Sequence, residues 1–179
     1  MDTAVIVKTA LDAGASAAVV VDATKIPFDA GLRLFCEQNA CGNYGRSYSC
    51  PPYAGEAEEL IRKASGYKIG VLVQTIGQLE DSLDYEGMMA CADRHGAISR
   101  KVFDEAAKTG SEYLCLGAGT CRLCEKCAMR TNEPCRFPDR RVTSLEAYCV
   151  NVRTLCEGYG LKYINGQDTV TYYSMVLFR

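Results

Sequence analysis

The spacing of apolar and polar positions predicts several helices along the chain. Apolar residues at helical intervals predict helices at Thr3–Ala13 and Asp84–Lys108, and an order of acidic before basic charges predicts one around Glu56–Lys63. The segment that ends at Cys36 is ambiguous, and one interpretation is a helix that begins at about Asp29. Thr143 and Glu146 form a capping-box pattern, which predicts a helix that runs to Glu157. The inner face of that helix is expected to carry Leu145, Cys149, Val152 and Cys156.

Continuous or alternating apolar runs predict strands between these helices. They lie at Ala17–Asp22, Tyr67–Ile76, Glu112–Leu116, Leu161–Ile164 and Thr169–Phe178. The last two are expected to form a hairpin around Asn165-Gly166. Helices that alternate with strands favour an α/β fold, so we expect one domain over residues 1–179. Its mixed sheet would have about five strands, flanking helices and two cysteine-rich loops.

Composition and charge narrow the class of protein. The chain has 179 residues and a net charge of −2, which gives no general attraction to nucleic acid or to anionic lipid. The longest apolar run, Ala17 to Val21, is too short to span a membrane, and charges at Asp2, Lys8 and Asp12 argue against a signal peptide. We therefore expect a cytoplasmic protein that binds neither nucleic acid nor a membrane.

Cysteine is the informative residue type. The chain has 11 cysteines, an odd number, and one histidine, His95. Without an export signal, this usage favours reduced thiolate ligands over disulfides. His95 lies on the apolar face of its predicted helix, where a core histidine is more common than a metal ligand. We expect a site built from sulfur.

The second cysteine loop has the stronger motif. Cys121, Cys124, Cys127 and Cys135 follow one another with two, two and seven residues between them. Three thiolates within seven residues crowd a single zinc ion, but they suit a [4Fe–4S] cluster, whose separate irons bind separate cysteines. The loop 121–141 carries six basic and three acidic residues, which would offset the cluster's negative charge. Zinc remains the alternative.

The first cysteine loop supplies three more candidates. Cys36, Cys41 and Cys50 precede Pro51-Pro52 at a spacing unusual for both zinc sites and ferredoxins. They indicate either a second metal centre or three structural thiols. A cysteine before proline serves the other cluster in two-cluster ferredoxins, so Cys50 is a candidate to cross between the loops. The sequence does not determine the fourth ligand of this centre. The other candidates are Cys91, Cys115, Cys149 and a non-cysteine group, and a further alternative is that one iron has no protein ligand and binds a small molecule.

Two further features have less specific interpretations. The remaining cysteines, Cys91, Cys115, Cys149 and Cys156, are more typical of buried structural thiols than of ligands. Gly117-Ala118-Gly119 after a predicted strand is similar to the start of a dinucleotide loop. The third glycine of that motif is replaced by Arg122, which makes nucleotide binding improbable.

Between about Cys36 and Gly160 the chain resembles a family of small cysteine-rich proteins described as predicted metal-binding proteins of unknown function. The first cysteine loop through Cys50-Pro51-Pro52, the second from Cys121 to Pro138, and the stretch Ser144 to Ala147 carry the resemblance. It implies metal binding, with iron–sulfur chemistry foremost, and anaerobic prokaryotic hosts.

These patterns lead to three functional hypotheses. The first is a protein with one or two [4Fe–4S] clusters that transfers electrons to, or gives redox support to, a partner protein or small molecule. The second is an enzyme that activates a small substrate at an open iron of its cluster. The third is an interaction module stabilised by zinc.

Overall fold

A computed structural model describes residues 2–179 and contains one five-stranded mixed sheet. The strands are β1 (Ala17–Asp22), β2 (Ile69–Gln78), β3 (Tyr113–Gly117), β4 (Thr143–Ser144) and β5 (Thr169–Phe178). Their order across the sheet is β1-β2-β5-β3-β4. All neighbouring strands are antiparallel except β3 and β4, which are parallel. The predicted α/β class and mixed sheet are confirmed.

Five α-helices flank the sheet. They are α1 (Thr3–Asp12), α2 (Arg33–Glu37), α3 (Ala57–Ala64), α4 (Tyr85–Lys108) and α5 (Val152–Gly158). Side-chain caps explain several of the starts: the Asp2 carboxylate accepts from the Ala4 N–H, and the Asp84 carboxylate accepts from the Gly87 N–H. Gly14, at φ 101°, follows the end of α1 as predicted. None of the helices in residues 2–179 is both long and apolar enough to cross a membrane.

The sheet has a separate apolar core on each face. Because side chains alternate along β2, Val71 and Val73 pack with α1 and α4, whereas Leu72 packs with α3 and α5. Ile6 and Val102 are fully buried on the first face. Burial on both faces makes the sheet a rigid support, from which the two cysteine loops extend between α2 and α3 and between β3 and β4.

The predicted capping box at Thr143 is wrong. Thr143 and Ser144 pair with Leu116 and Gly117 as the short parallel strand β4, so the chain is extended there. Cys149 has a left-handed backbone, with φ 57°, which interrupts any helix before α5. The helix begins only at Val152, where the Asn151 side chain accepts from the Thr154 N–H at 3.0 Å.

The residues expected on the inner face of that helix are nevertheless buried. Leu145, Cys149, Val152 and Cys156 all lie in the core, although a turn rather than a helix carries the first two. Apolar spacing therefore predicted burial correctly here and local structure incorrectly.

The predicted C-terminal hairpin is also wrong. Residues 161–164 form no strand, and β5 pairs instead with β2 on one side and β3 on the other. The Asn165 amide donates to the Lys162 carbonyl and the Thr171 hydroxyl, both at 2.9 Å, and so stabilises an irregular turn. Ten consecutive pairs with β2 give β5 far more backbone hydrogen bonding than a four-residue strand would offer.

Candidate metal centre

The structure brings the four cysteines of the second loop around one small cavity. Cys121, Cys124, Cys127 and Cys135 all line it. Ser47, Tyr48 and Ser49 from the first loop also line this cavity, as do Arg136 and Arg141. The sequence spacing predicted the grouping of the four thiols, and the participation of the first loop is an addition from the structure.

The surroundings of Cys127 favour the thiolate form of its side chain. Burial by itself would raise the pKa of its thiol, but the backbone N–H groups of Tyr48 and Met129, the Ser47 hydroxyl and the charge of Arg130 together hold that pKa below its ordinary value. N–H groups directed at sulfur stabilise the deprotonated form that binds metals. One of these donors, Tyr48, belongs to the first loop.

Basic side chains surround the same cavity. Arg136 interacts with the Cys124 sulfur, which raises the pKa of its guanidinium, and it also pairs with the Glu133 carboxylate at 3.2 Å. It also donates to the Lys126 carbonyl at 3.1 Å, which fixes the guanidinium across the loop. A cation held against a ligand sulfur favours the thiolate and offsets the negative charge of a sulfur-ligated metal group.

Hydrogen bonds join the two cysteine loops directly. The Ser49 hydroxyl accepts from the Cys121 N–H at 2.9 Å, and the Cys50 thiol donates to the Thr120 hydroxyl at 3.4 Å. The Tyr48 hydroxyl also donates to the Glu133 carbonyl at 2.9 Å. The loops therefore form one structural unit, although more than 70 residues separate Ser49 from Cys121.

The three cysteines of the first loop also lie near one another. Burial raises the pKa of the Cys36 thiol, and its interactions with the neighbouring Cys41 and Cys50 raise it further. Burial likewise raises the pKa of Cys50, although hydrogen bonds with Thr120 and Ser49 oppose this effect. Cys41 is exposed, so this group is closer to solvent than the cavity of the second loop.

Arg33 is an unusual neighbour of this group. Its side chain is only 9% exposed and its Nη2 donates to the Ala147 carbonyl at 3.0 Å, but its Nε has no hydrogen-bond partner in residues 2–179. Its positive charge lowers the pKa of Cys36. Buried charges are normally paired, so a guanidinium with an unused donor fits an anionic group held by the adjacent thiols.

The other cysteines have ordinary structural environments. Burial raises the pKa of Cys115 to about 12, and Cys149 and Cys156 are fully buried. The Cys91 sulfur lies against Gly77, where any β-carbon would collide with it. No three cysteine, histidine or carboxylate side chains in residues 2–179 are arranged around a point that one metal ion could occupy.

Sequence reasoning missed the polar residues that connect the site. Ser47, Ser49 and Thr120 are hydroxyl residues directly before a cysteine or one turn away from it, and all three interact with cysteine groups. Arg33 and Glu146 act on Cys36 from outside the motifs. The Ser-x-Ser-Cys and Thr-Cys sequences were the available signals, because hydroxyl groups commonly hydrogen-bond to ligand sulfur.

Together these features define a class of protein: an α/β domain that holds two linked groups of free thiols at one side of a mixed sheet. Residues 19–178 match the family model described as predicted metal-binding protein (DUF2284), and the chain belongs to that family. The resemblance stated from the motifs is confirmed, as is the assignment to a predicted metal-binding domain. Searches of curated proteins and of solved structures gave no match.

Proposed function

We propose that the second loop binds a [4Fe–4S] cluster through Cys121, Cys124, Cys127 and Cys135. The observation that carries this proposal is the single cavity that all four thiols line, with N–H donors and guanidinium groups beside them. When bound, such a cluster accepts and returns one electron at a time. The protein would then transfer electrons to, or support the redox chemistry of, a partner protein or small molecule.

The donor set favours a cluster over a single zinc ion. Structural zinc prefers four ligands in two separated pairs, whereas three of these cysteines fall within seven residues. A cluster with four thiolates carries a net negative charge, which suits the hydrogen bond from Arg136 and the nearby charge of Arg130. Donors and cations around ligand sulfurs also raise the reduction potential of a cluster.

The first loop would bind a second cluster through Cys36, Cys41 and Cys50. Its support is the proximity of the three thiols and the unused Nε donor of Arg33. Only three cysteines are present in this group, and the carboxylate of Glu146 also influences Cys36. A carboxylate ligand or an open iron would complete this cluster. The open iron is the basis of the enzyme alternative, in which the iron binds a small substrate.

Metal analysis of protein purified without oxygen tests the proposal. We expect about four irons and four sulfides per chain for one cluster, and about twice that for two. Cys124→Ser should remove the irons of the second loop. Cys156→Ser is the matched control, because Cys156 lies in α5 rather than in either cysteine loop, and its thiol donates to the Arg153 carbonyl. It should retain the full iron content.

Two results would overturn the cluster proposal. Colourless protein without iron or sulfide would refute the proposal. Stoichiometric zinc in protein purified without oxygen would also refute it and would support the interaction module instead. The enzyme alternative predicts that the spectrum of the iron chromophore shifts when small ligands such as cyanide are added. A spectrum indifferent to such ligands would leave electron transfer as the function.

A further inference from the structure

A second and larger cavity adjoins the second cysteine loop. Its volume is about 430 Å³, and it lies between α4 and the turn that follows β3. This volume is within the range of small-molecule sites. Cys121 is the only one of the seven candidate ligands that reaches it, so the cavity is largely separate from the thiol groups.

The floor of this cavity is polar, buried and uncharged. His95, which is 2% exposed, hydrogen-bonds through Nδ1 to the Thr75 hydroxyl at 2.8 Å and through Nε2 to the Ser99 hydroxyl at 3.3 Å. Ser99 also bonds to the Ser174 hydroxyl at 2.7 Å. Burial lowers the pKa of His95 to about 4, so the ring is neutral at pH 7. These side chains form hydrogen bonds with one another, so the network makes this part of the cavity rigid without adding a charge to it.

A glycine in the middle of α4 leaves space at the cavity. Glycine is less favourable than alanine in a helix interior, and a β-carbon at Gly96 would meet no atom within 4 Å. The helix therefore carries a less stable residue where a side chain would extend into open space at this cavity. Met89, Phe103 and Val142 provide apolar lining nearby.

One cation at this cavity has no acidic partner. Arg122 forms an ion pair with Asp93, but Arg100 has no salt bridge to any carboxylate in residues 2–179. The Arg100 guanidinium lies 6.0 Å from the Phe103 ring centroid and donates to the Arg140 carbonyl at 3.2 Å. The Gly119 and Thr120 N–H groups, also at the cavity, have no acceptor in the described part of the chain. These solvent-accessible donors and the Arg100 charge, which no carboxylate pairs, are available to one anionic group.

We propose that this cavity binds an organic monocarboxylate with an aromatic or otherwise apolar body. The carboxylate pairs with Arg100 and accepts from the free N–H groups, because a guanidinium presents donors that match the two carboxylate oxygens. The body of the ligand packs on Phe103, Val142 and Met89. The inference is independent of the cluster proposal, since none of these anchoring groups is a cysteine.

Calorimetric titration of the protein, purified without oxygen, with benzoate and with indole-3-acetate tests this inference. We expect saturable binding of at least one of the two. Arg100→Gln should weaken it about tenfold or more, the loss expected for a charge-assisted hydrogen bond. Gly96→Leu should weaken it by occupying part of the cavity. Arg62→Gln on α3 and Gly158→Leu at the end of α5 are the matched controls and should bind as the natural protein does.

Thermal unfolding of each variant separates loss of binding from loss of folding. If Gly96→Leu does not fold, Arg100→Gln decides the matter alone. The inference is overturned if neither carboxylate binds, if Arg100→Gln binds both unchanged, or if inorganic phosphate binds more tightly than either through Arg100. Metal content has no part in these outcomes, so they do not depend on the success of the cluster proposal.

Discussion

Arg33 is the residue whose environment is hardest to explain without a bound group. It is buried, its Nε has no hydrogen-bond partner in residues 2–179, and its charge lowers the pKa of the Cys36 thiol. An unpaired charge inside a protein is destabilising unless a counter-charge is present. The environment of Arg33 thus points to an anionic group at the first cysteine loop, which the cysteines by themselves do not indicate.

Arg33→Met should affect the metal-free and the metal-loaded protein in opposite directions. Without metal, the variant should be at least as stable as the natural protein, because methionine removes a buried unpaired charge. With metal, it should hold fewer irons in the first loop or show a lower reduction potential. Iron analysis and redox titration measure these effects, and Arg62→Met serves as an exposed control. Unchanged iron content and potential would show that the first loop holds no anionic group.

His95 should make stability depend on pH. Its pKa is about 4 in the folded protein and 6.5 in an unfolded chain, so the unfolded state binds more protons between these values. The contribution is fully present above pH 6.5 and decreases as the pH falls towards 4. We expect about 2 kcal/mol to be lost between pH 7 and pH 5. Denaturant unfolding should show this loss in the natural protein and a smaller loss in His95→Asn.

The sequence predicted that the four cysteines of the second loop lie together, but it did not predict how the two loops are connected. Cysteine spacing alone selected the four thiols that line one cavity, because local spacing limits how far apart nearby thiols can lie. The contacts of Ser49 and Thr120 with the opposite loop depend on the tertiary fold. The residue pattern of a single sequence does not show that two segments about 70 residues apart will come into contact.

At the scale of elements, two glycines have opposite roles. A β-carbon on Gly70 in β2 would lie 2.6 Å from the Leu177 side chain and 3.0 Å from the Val176 carbonyl oxygen, whereas one on Gly96 in α4 would meet nothing. Close packing of β2 against β5 requires the first glycine, and the open cavity accommodates a side chain at the second. The same residue type therefore marks a tight contact in the strand and a space beside the helix.

Gly70→Ala should destabilise the protein by about 1–3 kcal/mol, the usual cost of overpacking a core. Gly96→Ala should stabilise it by up to about 1 kcal/mol, since alanine is the better helix former. Both variants add one methyl group, so their free energies of unfolding in denaturant can be compared directly. Equal effects of the two substitutions would contradict the packing described for β2.

Element prediction succeeded where one pattern extended over many residues. The 24-residue helix α4 and the strand β1 follow the predicted bounds closely. It failed at Thr143 and at residues 161–164, where short segments depend on distant pairing partners. Thr143 is part of β4 because Leu116 in β3 offers a strand edge to it, and β5 pairs with β2 rather than with the preceding residues 161–164. These strand pairings are determined by the assembled sheet and not by the local sequence.

At the scale of the whole molecule, the cores and the candidate metal centre are distinct. Neither apolar core contains any of the seven candidate cysteines. The sheet and its helices are therefore held by burial of apolar side chains, and the two loops rest on this support through a few hydrogen bonds.

Removal of metal should loosen the loops and leave the sheet intact. Hydrogen exchange followed by mass spectrometry should show faster exchange in residues 36–55 and 117–141 after anaerobic chelation. Residues of β2 and β5 should exchange at an unchanged rate. Global loss of protection would show instead that metal binding stabilises the entire fold, as in small zinc domains.

The central position of β5 has a consequence for how the chain is made. Within residues 2–179, β5 alone joins the β1–β2 half of the sheet to the β3–β4 half. Both cysteine segments precede β5 in the chain, so they are made before the strand that joins the two halves of the sheet. A metal group of the kind proposed above would therefore meet its complete site only after β5 has paired with β2 and β3.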